Sequence, residues 1–176
     1  MTLRVLLGGA RSGKSALAVR MAAARADRVT FLATGTSGDE EMARRIARHR
    51  AERPAAWTTI EEPVDIAGAL ARADASATVV VDCLTLWLSN VAEWSDHDIE
   101  AHAAAAARLA AARTGLTIAV SNEVGSGIVP LDSGVRRYRD LLGTVNAMWV
   151  GAAEHAWLVV AGRVLALAPA EGAADE

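Results

Sequence analysis

Eight residues near the start of the chain, Gly8-Gly9-Ala10-Arg11-Ser12-Gly13-Lys14-Ser15, constrain its fold more than any other stretch. They match the pattern G-x-x-x-x-G-K-[ST]. An apolar run, Leu3–Leu7, precedes them, and a helical pattern from Lys14 to about Arg25 follows, with Leu17, Met21 and Ala24 on one face. Strand, glycine-rich loop and helix in that order form a phosphate-binding loop. Glycine lets the backbone wrap closely, so that successive N–H groups can point at phosphate oxygens, and the helix N-terminus adds a positive dipole end. On this reading Lys14 reaches the β- and γ-phosphates of a nucleoside triphosphate, and the Ser15 hydroxyl ligates magnesium. A chance match is expected in on the order of one chain in a hundred of this size, and the strand-loop-helix context lowers that further.

The rest of the chain alternates in the same manner. Strands are predicted at Val29–Ala33, Ala77–Cys83 and Leu116–Ser121, with a terminal pair at Ala156–Ala161 and Val164–Leu167 split by Gly162-Arg163. Helices are predicted from about Asp39 to Arg50, where Ser37-Gly38-Asp39-Glu40 has capping-box spacing, and over Val64–Arg72, Asp96–Arg113 and Ser133–Ala153. Leu84–Val91 reads equally as strand or helix, because its apolar residues are nearly continuous. Six strands alternating with five or six helices imply a three-layer α/β fold, with a mostly parallel sheet and an antiparallel strand at its C-terminal end. No repeat, linker or composition break interrupts it, so residues 1–168 are expected to form one domain and 169–176 a frayed tail. Ligands of such sheets bind at the carboxyl ends of the strands. The loops at 8–15, 34–38, 82–86 and 121–130 should therefore share one rim.

Hydrophobic residues make up 52% of the 176, yet no window holds the ~20 uninterrupted apolar positions of a membrane helix. Residues 1–7 reach a glycine pair too early for a signal peptide, so a cytoplasmic protein is expected. The single Cys83 excludes an internal disulfide and a cysteine-based zinc site, and its apolar neighbours predict a buried, inert thiol. A net charge of −3 gives no global field to attract nucleic acid. Arginine is nonetheless clustered, at Arg44, Arg45, Arg48, Arg50 and Arg53, and again at Arg136, Arg137 and Arg139. Each cluster reads either as a contact for a small phosphorylated ligand or as a solvated helix face.

Two further residues have chemistry to offer. Asp82 follows Val79-Val80-Val81, where a carboxylate that orders magnesium and its waters sits beside a phosphate loop; the competing role is a cap for a neighbouring helix. His49 shares a helical stripe with Met42 and Ile46 and is flanked by Arg48 and Arg50. Guanidiniums nearby favour neutral imidazole, a competent nucleophile, base or ligand, whereas a helix C-terminus opposes them. Spacing alone favours a partly buried histidine packing at a helix end.

Three stretches taken together resemble one family. They are Gly8–Ser15, the Asp39–Arg50 helix with Arg53-Pro54 and Trp57 after it, and Ser121-Asn122-Glu123-Val124-Gly125-Ser126-Gly127-Ile128-Val129-Pro130. Asp82-Cys83-Leu84-Thr85 and the run from Arg139-Asp140 through Gly143 to Val145-Asn146 extend the likeness, which covers residues 4 to about 161. The chain resembles the bifunctional adenosylcobinamide kinase/adenosylcobinamide-phosphate guanylyltransferases of cobalamin biosynthesis. The resemblance implies phosphorylation of adenosylcobinamide from ATP or GTP, then transfer of GMP from GTP through a histidine to adenosylcobinamide phosphate. The family's guanylylated histidine falls on His49, which reverses the reading from spacing. Some relatives carry two adjacent histidines there; this chain has Arg48 and then His49. The resemblance further implies nucleotide contacts from Thr34, Gly35 and Thr36, from Arg50, Ala51, Glu52 and Arg53, and from Glu61 or Glu62, the last a guanosine contact. It also implies a RecA-like sheet and a homotrimer with sites near subunit contacts.

Two other functions fit parts of the sequence. A P-loop small-molecule kinase of another pathway would use Lys14, Ser15 and Asp82 but would have no use for a nucleophilic His49. A non-catalytic nucleotide switch or DNA-associated ATPase calls for a basic strip, which the net acidity disfavours.

Overall fold

Apolar residues alternate along each central strand, and the alternation divides the core into two layers. In the computed structural model, which describes residues 2–25, 28–38, 40–51 and 53–169 without the side chains of Met42, Arg45 and His49, seven strands form one sheet. They are β1 (Leu3–Gly8), β2 (Val29–Ala33), β3 (Thr58–Glu61), β4 (Thr78–Asp82), β5 (Thr117–Asn122), β6 (His155–Val160) and β7 (Arg163–Ala166). Their order is β3-β2-β4-β5-β1-β6-β7, parallel throughout except for the antiparallel β6–β7 pair. Leu3, Val5 and Leu7 of β1 and Val79 and Val81 of β4 face one layer, and Leu6 and Val80 face the other. This period of two places every central strand between apolar surfaces, as a parallel sheet requires.

Helices cover both faces. On one, α1 (Lys14–Ala23) packs Ala18 and Ala22 against Leu6, Val80, Ile118 and Val120. On the other lie α3 (Ile66–Arg72), α4 (Leu84–Asn90), α5 (Asp96–Ala112) and α6 (Ser133–Gly151). α2 (Glu40–Ala51) is strongly amphipathic and rests at the rim. The ambiguous Leu84–Val91 segment is helical because it is enclosed: Leu84, Trp87 and Leu88 are buried, and Trp87 Nε1 donates to Val64 O at 2.8 Å. Ser95 caps α5 by accepting from Asp98 N, and four of its alanines are buried toward the neighbouring helices. α3 starts at Asp65, which accepts from Gly68 N.

The structure adds one strand and gives one arginine cluster its partners. β3 was not foreseen; it is a four-residue edge strand, mostly exposed, whose extended state comes from pairing with β2. The Arg136, Arg137 and Arg139 cluster, read as a phosphate contact or a solvated face, has partners within the chain. Arg136 donates to Pro130 O and Leu131 O, and Arg137 donates to Ala92 O and Trp94 O and pairs with Asp96, while Arg139 pairs with its neighbour Asp140. Arg136 and Arg137 tie down the loops before α6 and α5, where carbonyls lack secondary-structure partners.

Candidate active site

The loops at the carboxyl ends of β1, β2, β4 and β5 meet around one cavity of about 100 Å³. The phosphate loop supplies Lys14 and Ser15, the loop after β2 supplies Gly35, the end of β4 supplies Asp82 and Cys83, and β5 supplies Asn122. Ile46 from α2 and Arg53 just beyond it close another side. All four loops expected on one rim contribute to it.

Backbone conformation shapes the phosphate loop. Arg11 (φ 57°) and Gly13 (φ 97°) are both left-handed, and conformations of this hand turn successive N–H groups toward a common point, making an anion-binding nest. Gly8 has a different reason: a Cβ there would stand 2.3 Å from Val159 O and 2.8 Å from Ser12 Oγ. The turn between β6 and β7 braces the loop, since Gly162 N donates to Ser12 O at 2.8 Å. Lys14 is buried, and its Nζ donates to Gly9 O at 3.0 Å, which holds the ammonium inside the curve of the loop. Gly13 is the N-cap of α1, so Lys14 and Ser15 occupy the first turn at the positive end of that helix.

Asp82 ends β4 opposite Ala33, on the strand separated from β1 by β5 alone. Among the described residues no cluster of three or more His, Cys, Asp or Glu could cage a metal. Ser15 and Asp82 do line one cavity, so the oxygen donors suit a divalent ion that takes its remaining ligands from phosphates and water, as magnesium does. Arg53 stacks over the Phe31 ring, 3.6 Å from its centroid. Burial pulls its guanidinium below the ordinary value, and the nearby Asp82 carboxylate opposes that shift. It remains a cation, desolvated and fixed in orientation beside the cavity. Cys83 is buried, as its apolar context predicted; burial first, and the Asp82 charge second, push its thiol up to about 11, so no thiolate nucleophile exists near neutral pH.

The other residues singled out from sequence divide into two groups. Thr34 is fully buried, and its hydroxyl donates to Cys83 O at 2.7 Å and accepts from Cys83 N at 2.8 Å; it joins β2 to β4. Thr36 is exposed and donates to Asn90 Oδ1, at 3.1 Å. Arg50 pairs with Glu61. Glu62 is committed to the fold: its Oε1 accepts from Val64 N and Asp65 N, and its Oε2 pairs with Arg72 at 3.0 Å. These bonds, that from Asp65 N foremost, hold its carboxyl below the usual range. Of the two acidic candidates, Glu61 alone has a carboxylate that Arg50 turns toward the α2 side. Ala51 ends α2, and Glu52 lies outside the described residues. His49 belongs to the last turn of α2, one turn after Ile46. Sequence reasoning gave no role to Asn122 or Leu86, both of which line the cavity. For Asn122 the signal was available, a polar residue at the carboxyl end of a strand whose middle, Ile118–Val120, is apolar.

Comparison with known proteins agrees with this geometry. The model of a family described as cobinamide kinase / cobinamide phosphate guanyltransferase matches residues 4–167. The bifunctional adenosylcobalamin biosynthesis protein CobP of Pseudomonas aeruginosa is 44% identical over 160 residues, which cover 90% of this chain and 92% of that protein. The bifunctional adenosylcobalamin biosynthesis proteins CobU of Salmonella typhimurium and Escherichia coli are 36% and 35% identical, each over 90% of this chain and 95% of the relative. With a phosphate loop, an Asp-ended strand and an arginine-rich helix meeting at one cavity, and with matches spanning nearly all of its length, the chain belongs to the cobinamide kinase / cobinamide phosphate guanyltransferase family.

Proposed function

We propose that this protein phosphorylates the aminopropanol hydroxyl of adenosylcobinamide with ATP or GTP, and then transfers GMP from GTP to the product, giving adenosylcobinamide-GDP. The observation that carries this reading is the convergence of Lys14, Ser15, Asp82, Ile46 of α2 and Arg53 just beyond it on one cavity. Either reaction requires a triphosphate held by the loop. Lys14 and the N–H groups of residues 8–15 bind the β- and γ-phosphates and offset charge there. Ser15 and Asp82 would hold magnesium, which supplies further neutralisation at the phosphate oxygens. Residues 1–168 act as one nucleotide-binding domain, consistent with a single sheet whose strands run from Leu3 to Ala166.

The second reaction needs a nucleophile, and His49 supplies it. Imidazole attacks the α-phosphorus of GTP; the N–P bond forms as the bond to the bridging oxygen breaks, and pyrophosphate leaves with the electron pair. A phosphate oxygen of adenosylcobinamide phosphate then displaces the histidine and takes the GMP. Ile46, one turn before His49, already lines the cavity, and Arg53, four residues after it, is fixed on Phe31 there. Arg50 and Arg53 can hold phosphate oxygens and Glu61 the guanosine, and Gly35 lines the cavity while Thr34, bonded to Cys83, and Thr36, bonded to Asn90, hold the loop around it. The family likeness implies a homotrimer, and the exposed apolar side chains at Ile128, Val129 and Leu131 offer surface for one. No helix among the described residues is long and apolar enough to cross a membrane. The test is incubation with GTP labelled at the α-phosphate. Covalent label that acid releases and base does not is expected of the phosphoramidate; no protein-bound label would leave only a kinase of the P-loop kind.

A further inference from the structure

The cavity wall holds one carboxamide, that of Asn122, beside Lys14, Ser15 and Asp82. Asn122 ends β5, the strand between β1, which carries the phosphate loop, and β4, which carries Asp82. In register it stands opposite Gly8, and Val120, two residues earlier, stands opposite Asp82. Asn122 therefore reaches the cavity that Lys14, Ser15 and Asp82 share. Its side-chain amide makes no hydrogen bond to any described residue. Its backbone, by contrast, is pinned from two helices. The N–H donates to Thr85 Oγ1 at 2.8 Å, and the carbonyl accepts from Asn146 Nδ2 at 2.9 Å.

Asn146 is itself unusual. It is 5% exposed, in the interior of α6, and its Oδ1 has no hydrogen-bond partner. An unpaired buried carbonyl destabilises a fold, and an apolar residue of similar size would pack there without that cost. What an apolar residue could not do is fix the carbonyl of Asn122. Asn146 thus trades stability for the placement of a residue in the site.

We propose that the Asn122 amide donates a hydrogen bond to the phosphoryl group in transit from nucleoside triphosphate to acceptor hydroxyl, with Asn146 as its positioning residue. The assignment rests on the kinase reading above. In the transfer, the acceptor oxygen bonds to the γ-phosphorus as the bond from that phosphorus to the bridging oxygen breaks. The electron pair stays with the diphosphate, and the hydroxyl proton passes to water. Charge spreads over the equatorial oxygens of the moving group. Lys14 meets it from the loop, and Asn122 from the β5 side. The guanylyl step breaks the α–β linkage instead, so it depends less on a donor at the γ-position.

The experiment is steady-state kinetics of cobinamide phosphorylation by the full chain, with enzyme–GMP formation and thermal melting measured alongside. Asn122→Ala is expected to lower kcat at least about tenfold with the nucleotide KM within about threefold, and to slow enzyme–GMP formation less. Asn146→Leu should lower kcat severalfold while the melting temperature holds or rises. In the Asn122→Ala background it should cost nothing more, because the two residues act through one contact. If Asn122→Ala does not fold, the isosteric Asn122→Asp replaces it, with at least as large a loss of kcat. A parent that phosphorylates and an Asn122 variant whose kcat stays within twofold would overturn the assignment, as would independent, multiplicative losses in the double variant. A parent that phosphorylates no cobinamide overturns the kinase reading first, and this assignment with it.

Discussion

Lys14 combines burial with a charge that the loop itself holds in place, through its bond to Gly9 O. A phosphate bound in the loop gains a charge-assisted contact from it. Lys14→Ala should therefore lower both phosphorylation and guanylyl transfer by at least ~2–3 kcal/mol, or roughly tens- to hundreds-fold in rate. Near-normal turnover in either assay would contradict the shared cradle. Glu62 belongs to the fold rather than to the ligand, and its titration separates the two roles. Its folded-state value lies below the ordinary one, so its contribution is present above the ordinary carboxylate range and lost as pH falls through the lowered value. Glu62→Gln should melt below the parent at neutral pH, the gap closing as the solution is acidified toward pH ~3. A gap that widened on acidification would reverse the sign. Substitution of Glu61, whose exposed carboxylate pairs with Arg50, should instead raise the KM for GTP with little change in melting.

At the scale of elements, the phosphate loop depends on the β6–β7 hairpin as much as on its own sequence. Val159 O fills the space where a Gly8 side chain would go, and Gly162 N secures Ser12 O. Gly8→Ala must push these apart. A cost of about 1–3 kcal/mol is expected, or roughly 2–4 °C of melting temperature per kcal/mol at this chain length, together with weaker nucleotide binding. An unchanged melting temperature would mean that the hairpin does not brace the loop. The hairpin was legible in sequence as a strand pair around Gly162-Arg163, but its contact with Ser12 was not, since 150 residues separate them. The phosphate loop, Asp82 at the end of Val79-Val80-Val81 and the shared rim were readable because each follows from local pattern and strand polarity. β3 was not, because Thr58-Thr59-Ile60-Glu61 has no apolar alternation and is extended only by its neighbour. The carbonyl partners of the α6 arginines were not legible for a related reason: a string of cations looks alike whether its partners are phosphates or the carbonyls of distant loops.

At the scale of the whole molecule, the exposed apolar residues are concentrated in two places. Ile128 and Leu131 are 98% and 99% exposed in the loop after β5, and Val164 and Leu165 lie on the edge strand β7. Association into a homotrimer would cover such surface, and light scattering should then give three times the 18.3 kDa chain mass; a monomer at working concentration would contradict it. The protein as a whole is read as one triphosphate cradle serving two reactions that His49 separates. The direct measurement is a paired assay of the His49→Asn variant, scoring cobinamide phosphorylation from ATP and covalent label from α-labelled GTP. Asparagine cannot replace imidazole as the nucleophile, whereas direct phosphoryl transfer makes no use of it. Protein-bound label is expected to disappear while phosphorylation stays close to that of the parent. Label still bound to the denatured variant, or equal loss of both activities in a folded variant, would contradict it.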